Sequence, residues 1–138
     1  MASSTTNETR ETVLRYLKAL GEKDLPTVFS IVADDVEYHI PGDHPLSGVF
    51  SGRERVMAGF FQPMVDLLDP ATPYVTDVKR IIAEGEYAVV ECVSSSKTKD
   101  GRAFRNPMAA IFTVKGGKVT QVVEHFDTDN FKRTLFPG

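Results

Sequence analysis

The chain has 138 residues, a length that suits one domain built around one hydrophobic core. With 41% hydrophobic and 25% charged residues it is too apolar for a disordered chain, and its net charge of −3 argues against nucleic-acid binding. The single cysteine, Cys92, excludes an intrachain disulfide and favours a reducing compartment, so we expect a cytoplasmic protein. No apolar run approaches the roughly 20 residues that cross a bilayer, so a membrane is not an expected partner.

The first residues predict a pair of helices. Thr5 and Glu8 have the spacing of a capping box, which opens a helix that Gly21 is placed to end. The stretch 1–6 is expected to be flexible. Asp24 then caps a second short helix, and the short connection predicts that the two helices pack as a hairpin.

A strand and a third helix follow. Residues 36–40 alternate as a strand does, and the proline-bounded turn after them cannot continue it. Ser51 and Glu54 form a second capping-box pair that opens a helix running to about Leu68. Pro63 lies inside this helix and is expected to kink it.

The second half of the chain predicts strands joined by tight turns. Their expected ranges are 74–83, 87–97, 103–115 and 118–127, followed by a last short helix over 129–135. Tight turns force antiparallel neighbours, so the pattern predicts an α+β domain whose curved antiparallel sheet wraps around three helices.

A curled sheet and a kinked helix should leave an apolar pocket for a small molecule. The residues expected to line it and bind substrate are Phe60, Phe61, Met64, Val122, Phe126 and Phe131. The alternative is that these side chains simply fill the core.

Alternation in the last strand singles out Glu124. It shares a strand face with Val122 and Phe126, whereas the opposite face, with Gln121 and His125, is more polar. If the more apolar face is buried, desolvation raises the pKa of Glu124, as suits a general acid or base. The alternative is an exposed glutamate paired with a lysine.

Other titratable side chains are weaker candidates. Tyr38 is expected to point inward and to offer its hydroxyl to a ligand, whereas alternation directs His39 outward. The strand around Glu91 is apolar on both faces, so its direction stays open, and Glu91 and His39 are second-rank candidates. The histidines lack metal-ligand spacing and there is no nucleotide fingerprint, so we expect neither a metal nor a cofactor.

Four segments carry a resemblance to a known family. They are RYLKAL, KDLPTVFSIVADDVEYHIPG, LSGVFSGRERV and FTVKGGKVTQVVEHFD, and together they span nearly the whole chain. The chain resembles the SnoaL-like branch of the nuclear-transport-factor-2-like superfamily, which also holds ketosteroid isomerases and limonene epoxide hydrolases. The resemblance implies one domain over 1–138, a cone-shaped α+β barrel with a deep apolar pocket, and a homodimer formed through the sheet.

The family's functional residues carry over only in part. Tyr16 matches the tyrosine that donates a hydrogen bond to the oxyanion in ketosteroid isomerases, but Ile40 stands where that group has its general-base aspartate. The second donor of those enzymes falls near Ala109 or Ala110. These departures argue against ketosteroid isomerisation by the same arrangement.

The epoxide hydrolases are matched at other positions. Glu124 stands where they have the aspartate that activates water, and Tyr38 matches a tyrosine that helps to hold that water. Their arginine and second aspartate would fall at Cys92 and Ser94, so the triad is incomplete. SnoaL-like cyclases also use an acid on the last strand, and there Glu124 replaces carboxylate with carboxylate.

The leading hypothesis is a cofactor-independent acid–base enzyme of the isomerase or cyclase type, with Glu124 transferring the proton and Tyr16 and Tyr38 as hydrogen-bond partners. Its substrate would be a small hydrophobic molecule such as a polyketide, terpenoid or steroid-like compound. The alternatives are an epoxide hydrolase or hydratase-type lyase in the same pocket, a non-catalytic ligand-binding module, and a structural dimer with a filled pocket.

Overall fold

The structure, a computed structural model that describes residues 3–138, is an α+β fold built on a curved six-stranded sheet. The strands are β1 (Val32–Ile40), β2 (Gly48–Ser51), β3 (Val75–Glu84), β4 (Tyr87–Lys97), β5 (Ala103–Lys115) and β6 (Lys118–Phe126). The helices are α1 (Ser4–Gly21), α2 (Leu25–Ile31), an interrupted helix and α5 (Thr128–Leu135). The interrupted helix consists of α3 (Arg53–Val56), a π-helical turn (Met57–Phe61) and α4 (Gln62–Leu67). No helix within residues 3–138 is long and apolar enough to span a membrane.

The strand order is β2-β1-β6-β5-β4-β3, and across residues 3–138 the sheet stays open between β2 and β3. Neighbouring strands are antiparallel as predicted, with one exception: β1 and β6 run parallel. Tight turns fix direction only between strands that are consecutive in sequence, so they could not reveal this pair. The short strand β2 was also missed, because residues 46–50 were assigned to no element and Ser51 was assigned to a helix cap.

The first two helices have caps of the predicted kind, although one cap lies elsewhere. The N-cap of α1 is Ser3, whose Oγ accepts from the Thr6 amide at 3.1 Å, so the capping box predicted at Thr5 is wrong. The helix therefore begins inside the stretch 1–6 that was expected to be flexible, and residues 1 and 2 lie outside the described residues. Asp24 caps α2 as predicted, by accepting from the Thr27 amide.

The third helix differs from its prediction at both its start and its kink. It begins at Arg53, and the predicted capping box fails because Ser51 is held in β2 opposite Glu37. Pro63 has no N–H to donate within the helix, and the chain accommodates it with the wide π-helical turn just before it. In that turn a Cβ on Gly59 would lie 2.8 Å from the Phe50 ring, so glycine permits close packing on β2.

The last helix, α5, closes one end of the core. Asp127 caps it by accepting from the Asn130 amide at 3.0 Å. The helix buries Phe131 and Leu135 against the sheet. The Asn130 side chain donates to the Arg105 carbonyl at 3.1 Å and so ties the helix to β5.

We expect Asp127→Ala to lower the free energy of unfolding by about 1 kcal/mol, because the Asn130 amide loses its cap. Urea denaturation would measure this. The matched control is Asp129→Ala, which removes an exposed ion pair with Arg133 and a carboxylate in the first turn of α5 but no capping hydrogen bond, and should cost only about 0.5 kcal/mol. Equal losses in the two variants would contradict a capping role for Asp127.

Candidate functional site

A cavity of about 340 Å³ lies between the concave face of the sheet and the helices. Five of the six residues predicted to bind substrate line it, namely Phe60, Phe61, Met64, Val122 and Phe131. Phe126, the sixth, does not line the cavity, because it lies where the chain turns into α5 and packs against Phe131 with ring centroids 4.8 Å apart. The side chains therefore do not fill the core completely, and the pocket predicted from the sequence exists.

Glu124 projects into this cavity from β6, as strand alternation predicted. Ala110 stands opposite it on β5 and Val90 follows on β4, so its cross-strand neighbours are small or apolar. Glu124 retains partial exposure through the cavity, yet desolvation raises its pKa to about 7. Within residues 3–138 its carboxylate forms no hydrogen bond or ion pair, so the alternative of an exposed glutamate paired with lysine is wrong.

Tyr16 and Tyr38 meet behind the cavity through a short hydrogen bond between their hydroxyls. Tyr16, on α1, lines the cavity and packs edge-on against Phe112 at 5.2 Å. Tyr38, on β1, is fully buried and is not a lining residue, so its hydroxyl reaches Tyr16 rather than a ligand. If Tyr38 donates to Tyr16, the Tyr16 proton remains free for a ligand oxygen, and Tyr38 acts as a positioning residue.

The groups around Glu124 are weak acids that stay protonated near neutral pH. Burial raises the pKa of Tyr74 to about 12 and that of Cys92 to about 11, and the pKa values of Tyr16 and Tyr38 also rise. The Glu124 charge adds to each of these shifts. Glu124 is therefore the group in this cluster that exchanges a proton near pH 7.

The two second-rank candidates lie outside the cavity. Glu91 points to the outer face of the sheet, where its Oε1 lies 2.8 Å from Nε of Arg80. His39 lies on the same outer face, with its Nε2 3.1 Å from Oε1 of Glu37. The direction of Glu91 was undecidable from sequence because the outer face of β4 is itself apolar, carrying Val89 and Val93 beside it.

Sequence reasoning missed a group of polar residues at the other end of the cavity. They are Tyr74, Thr76, Ser94, Ser96 and Asn106 on or beside β3, β4 and β5. The Asp100-Gly101 pair, which is typical of a tight hairpin turn, could have revealed part of this group. The turn between β4 and β5 sets the register in which Asn106 stands opposite Ser94. Lys23 and Asp69 also line the cavity, and Asp69 accepts a hydrogen bond from the Ala71 amide.

Comparison with known proteins identifies the family to which this chain belongs. The family model of the SnoaL-like domain matches residues 13–122, which are most of the chain. The matched region ends just before Glu124. The chain belongs to the SnoaL-like domain family. Among the residues 3–138 of this family member, no three His, Cys, Asp or Glu side chains gather as a metal site would require.

Individual relatives agree with the family but do not define an activity. An uncharacterized protein of Mycobacterium tuberculosis is 27% identical over 114 residues, covering 83% of this chain and 85% of that protein. The crystal structure of a nuclear-transport-factor-2-like protein from Burkholderia xenovorans is 26% identical, covers 96% of this chain and 99% of its own, and superposes with a TM-score of 0.79. The structure of a SnoaL-like protein from Jannaschia has a TM-score of 0.80, 18% identity and coverage of 98% of this chain and 96% of its own, which shows the shared fold alone.

The raised pKa of Glu124 predicts a distinct pH dependence of stability. The folded protein binds the Glu124 proton more tightly than the unfolded chain does, so stability is lost as pH rises from about 4.5 to about 7. Glu124→Gln removes this loss. We expect the variant to match wild type at pH 4 and to exceed its free energy of unfolding by up to about 3 kcal/mol at pH 8.

Urea denaturation of both proteins across this pH range measures the difference. The exposed Glu91→Gln is the matched control and should show a much smaller change. A difference between Glu124→Gln and wild type that does not vary with pH would contradict the desolvated environment.

Proposed function

We propose that this SnoaL-like protein is a cofactor-independent acid–base enzyme of the isomerase or cyclase type. Its substrate would be a small hydrophobic carbonyl compound, such as a polyketide, terpenoid or steroid-like molecule. The observation that carries the proposal is a carboxylate with a pKa of about 7, unpaired within residues 3–138, in an otherwise largely apolar cavity.

The proposed reaction uses Glu124 twice. Its carboxylate removes a proton from the carbon next to the carbonyl, and the electron pair left on that carbon moves to the carbonyl oxygen. Tyr16 donates a hydrogen bond to that oxygen, supported from behind by Tyr38. Glu124 then returns the proton to a different carbon of an enolate conjugated with a C=C bond. Alternatively, the enolate attacks a second carbonyl carbon of the same molecule to close a ring, and Glu124 gives its proton to the alkoxide that forms.

Proton transfer accounts for part of the expected acceleration. One positioned acid–base group contributes roughly 10²–10⁴ in rate, and the remainder must come from orientation and from the hydrogen bond to oxygen. The second donor of ketosteroid isomerases would fall near Ala109 or Ala110, and Ala110 stands opposite Glu124. Tyr16 therefore has to stabilise the oxygen without a second donor at this position.

Two other functions make different use of the same residues. An epoxide hydrolase or hydratase-type lyase would use Glu124 to activate water, but Cys92 and Ser94 occupy the cavity wall where the epoxide hydrolases have an arginine and an aspartate. A non-catalytic binding module would use the cavity without proton transfer. The cavity itself favours both of these over a purely structural dimer.

Proton exchange at carbon tests the proposal without knowledge of the natural substrate. The probe is 4-phenylcyclohexanone, an apolar ketone with exchangeable protons beside its carbonyl. In D₂O, exchange of these protons would be followed by NMR as the loss of their signals. Wild type should accelerate exchange, Glu124→Gln should lower the rate by about 10²-fold, and Tyr16→Phe by about 10-fold. The rate should rise with pH up to about 7, as Glu124 ionises.

Glu91→Gln is the matched control, since its carboxylate lies on the outer face, and it should exchange at the wild-type rate. Calorimetric titration of the same ketone separates binding from chemistry. Binding without acceleration would favour the non-catalytic module, and opening of a terpene epoxide in place of exchange would favour the hydrolase.

We also propose a homodimer through the outer face of the sheet, in the cytoplasm. One cross-strand row on that face is apolar on four strands, with Ile82, Val89, Ile111 and Val123 in register. Ile82 is 61% exposed and Ile111 37%, and nearby Tyr87 is 59% exposed. A second copy of the chain, which presents the same row, would cover these side chains isologously.

Sedimentation velocity tests the dimer. Ile111→Glu places a charge at the centre of the row and should shift the protein to monomer, because the carboxylate would be desolvated in the interface. The matched control is Leu14→Glu, which charges a 48% exposed position on α1 and should leave the dimer intact. A monomeric wild type, or a dimer that persists in Ile111→Glu, would contradict this interface.

A further inference from the structure

The end of the cavity away from Glu124 is polar, in contrast to its middle. Thr76, Ser94 and Asn106 stand side by side on β3, β4 and β5, because the register pairs Thr76 with Ser94 and Ser94 with Asn106. Ser96 follows one step along β4 on the same face. All four line the cavity, and we call them the polar row.

Three oxygen atoms of the polar row are buried without a hydrogen-bond partner among residues 3–138. They are Oγ1 of Thr76, Oγ of Ser96 and Oδ1 of Asn106. Asn106 is only 4% exposed. Burying a polar atom without a partner destabilises the fold, and native proteins contain few such atoms. All three atoms belong to side chains that line one cavity, which indicates that the polar row is built to bond a ligand.

The chemistry of the row defines which ligand group fits. The Asn106 oxygen can only accept a hydrogen bond, whereas the Thr76 and Ser96 hydroxyls can also donate one. A hydroxyl group satisfies both demands, since it donates one hydrogen bond and accepts others. An ether or a hydrocarbon offers no donor to Asn106, and a carboxylate would place its charge against the amide oxygen.

Spacing along β5 defines where that hydroxyl lies on the ligand. Ala110 faces Glu124, and Asn106 lies four residues earlier on the same strand, so the two ends of the cavity are about 13 Å apart along the backbone. Between them the wall is apolar, with Met108 on β5 and Cys92 on β4. This separation suits two linked six-membered rings with a polar substituent at each end.

We propose that the polar row is a specificity site for a hydroxyl group at the end of the substrate remote from the reacting carbonyl. The assignment rests on the proposed function, which places the carbonyl at Glu124. The substrate class is thereby narrowed to hydroxylated two-ring or larger carbonyl compounds, with an alcohol or phenol at the far end.

Three matched ketones test the site by calorimetric titration. They are 4-(4-hydroxyphenyl)cyclohexanone, 4-phenylcyclohexanone without the hydroxyl, and 4-(4-methoxyphenyl)cyclohexanone, which keeps the oxygen but loses the donor. Wild type should bind the phenol at least about 10-fold more tightly than either of the others.

Variants of the polar row should remove this preference, which is measured for each variant as the ratio of its affinities for the phenol and for the unsubstituted ketone. Asn106→Leu and Thr76→Val keep the side-chain volume, delete the unpartnered oxygen, and should reduce the preference for the phenol to less than about 2-fold. Both should melt at or above the wild-type temperature, because each loses an unsatisfied polar atom. Thr113→Val, a buried position outside the cavity wall, is the matched control and should keep the wild-type preference.

Equal binding of the phenol and the unsubstituted ketone by wild type would overturn the proposal, as would a preference that survives in both Asn106→Leu and Thr76→Val. Failure of all three ketones to bind at millimolar concentration would overturn it too. Proton exchange at carbon reports Glu124 separately. Exchange without a phenol preference would refute the polar row alone, and a phenol preference without exchange would refute the acid–base function alone.

Discussion

The chemistry of the cavity depends on the placement of one carboxylate, Glu124, on the concave side of a curved sheet. β6 presents Val122, Glu124 and Phe126 on that side, and the strands beside it add Ala110 and Val90 at the level of Glu124. Helices cover the concavity, so Glu124 is desolvated and its pKa rises to about 7. Burial in the fold therefore brings the pKa of Glu124 close to neutral pH. The cost is a lower free energy of unfolding at the pH values where Glu124 is ionised.

The tyrosine pair joins α1 to β1 beside the cavity. Tyr16 reaches the cavity from α1, and Tyr38 anchors its hydroxyl from β1 while packing against Phe61 at 5.5 Å. A buried hydroxyl needs a partner, and each tyrosine provides that partner for the other. The pair therefore fixes the Tyr16 oxygen in place without a charged group, which would have competed with Glu124 for the proton.

Much of this arrangement could be predicted from the sequence because it follows from local pattern. Alternation over β6 located Glu124, and the glycine turns fixed the bounds of β4 and β5. The site residues that escaped prediction depend on more than one strand. The direction of Glu91 could not be predicted without knowing that the outer face of the sheet is apolar. The role of Tyr38 depends on its long-range contact with Tyr16. The polar row around Asn106 forms only when three strands pair in register.

The parallel pairing of β1 with β6 has a consequence for how the protein is made. Glu37 lies beside Gln121, so this contact joins segments separated by 84 residues, and β6 must insert between β1 and β5. Such a contact closes late, since the loop entropy is lost before the pairing is gained. During synthesis β1 would wait with an unpaired edge until almost the whole chain had left the ribosome. The strand that carries Glu124 is therefore also the strand that completes the sheet, and a chain without it lacks both the central strand and the desolvated carboxylate.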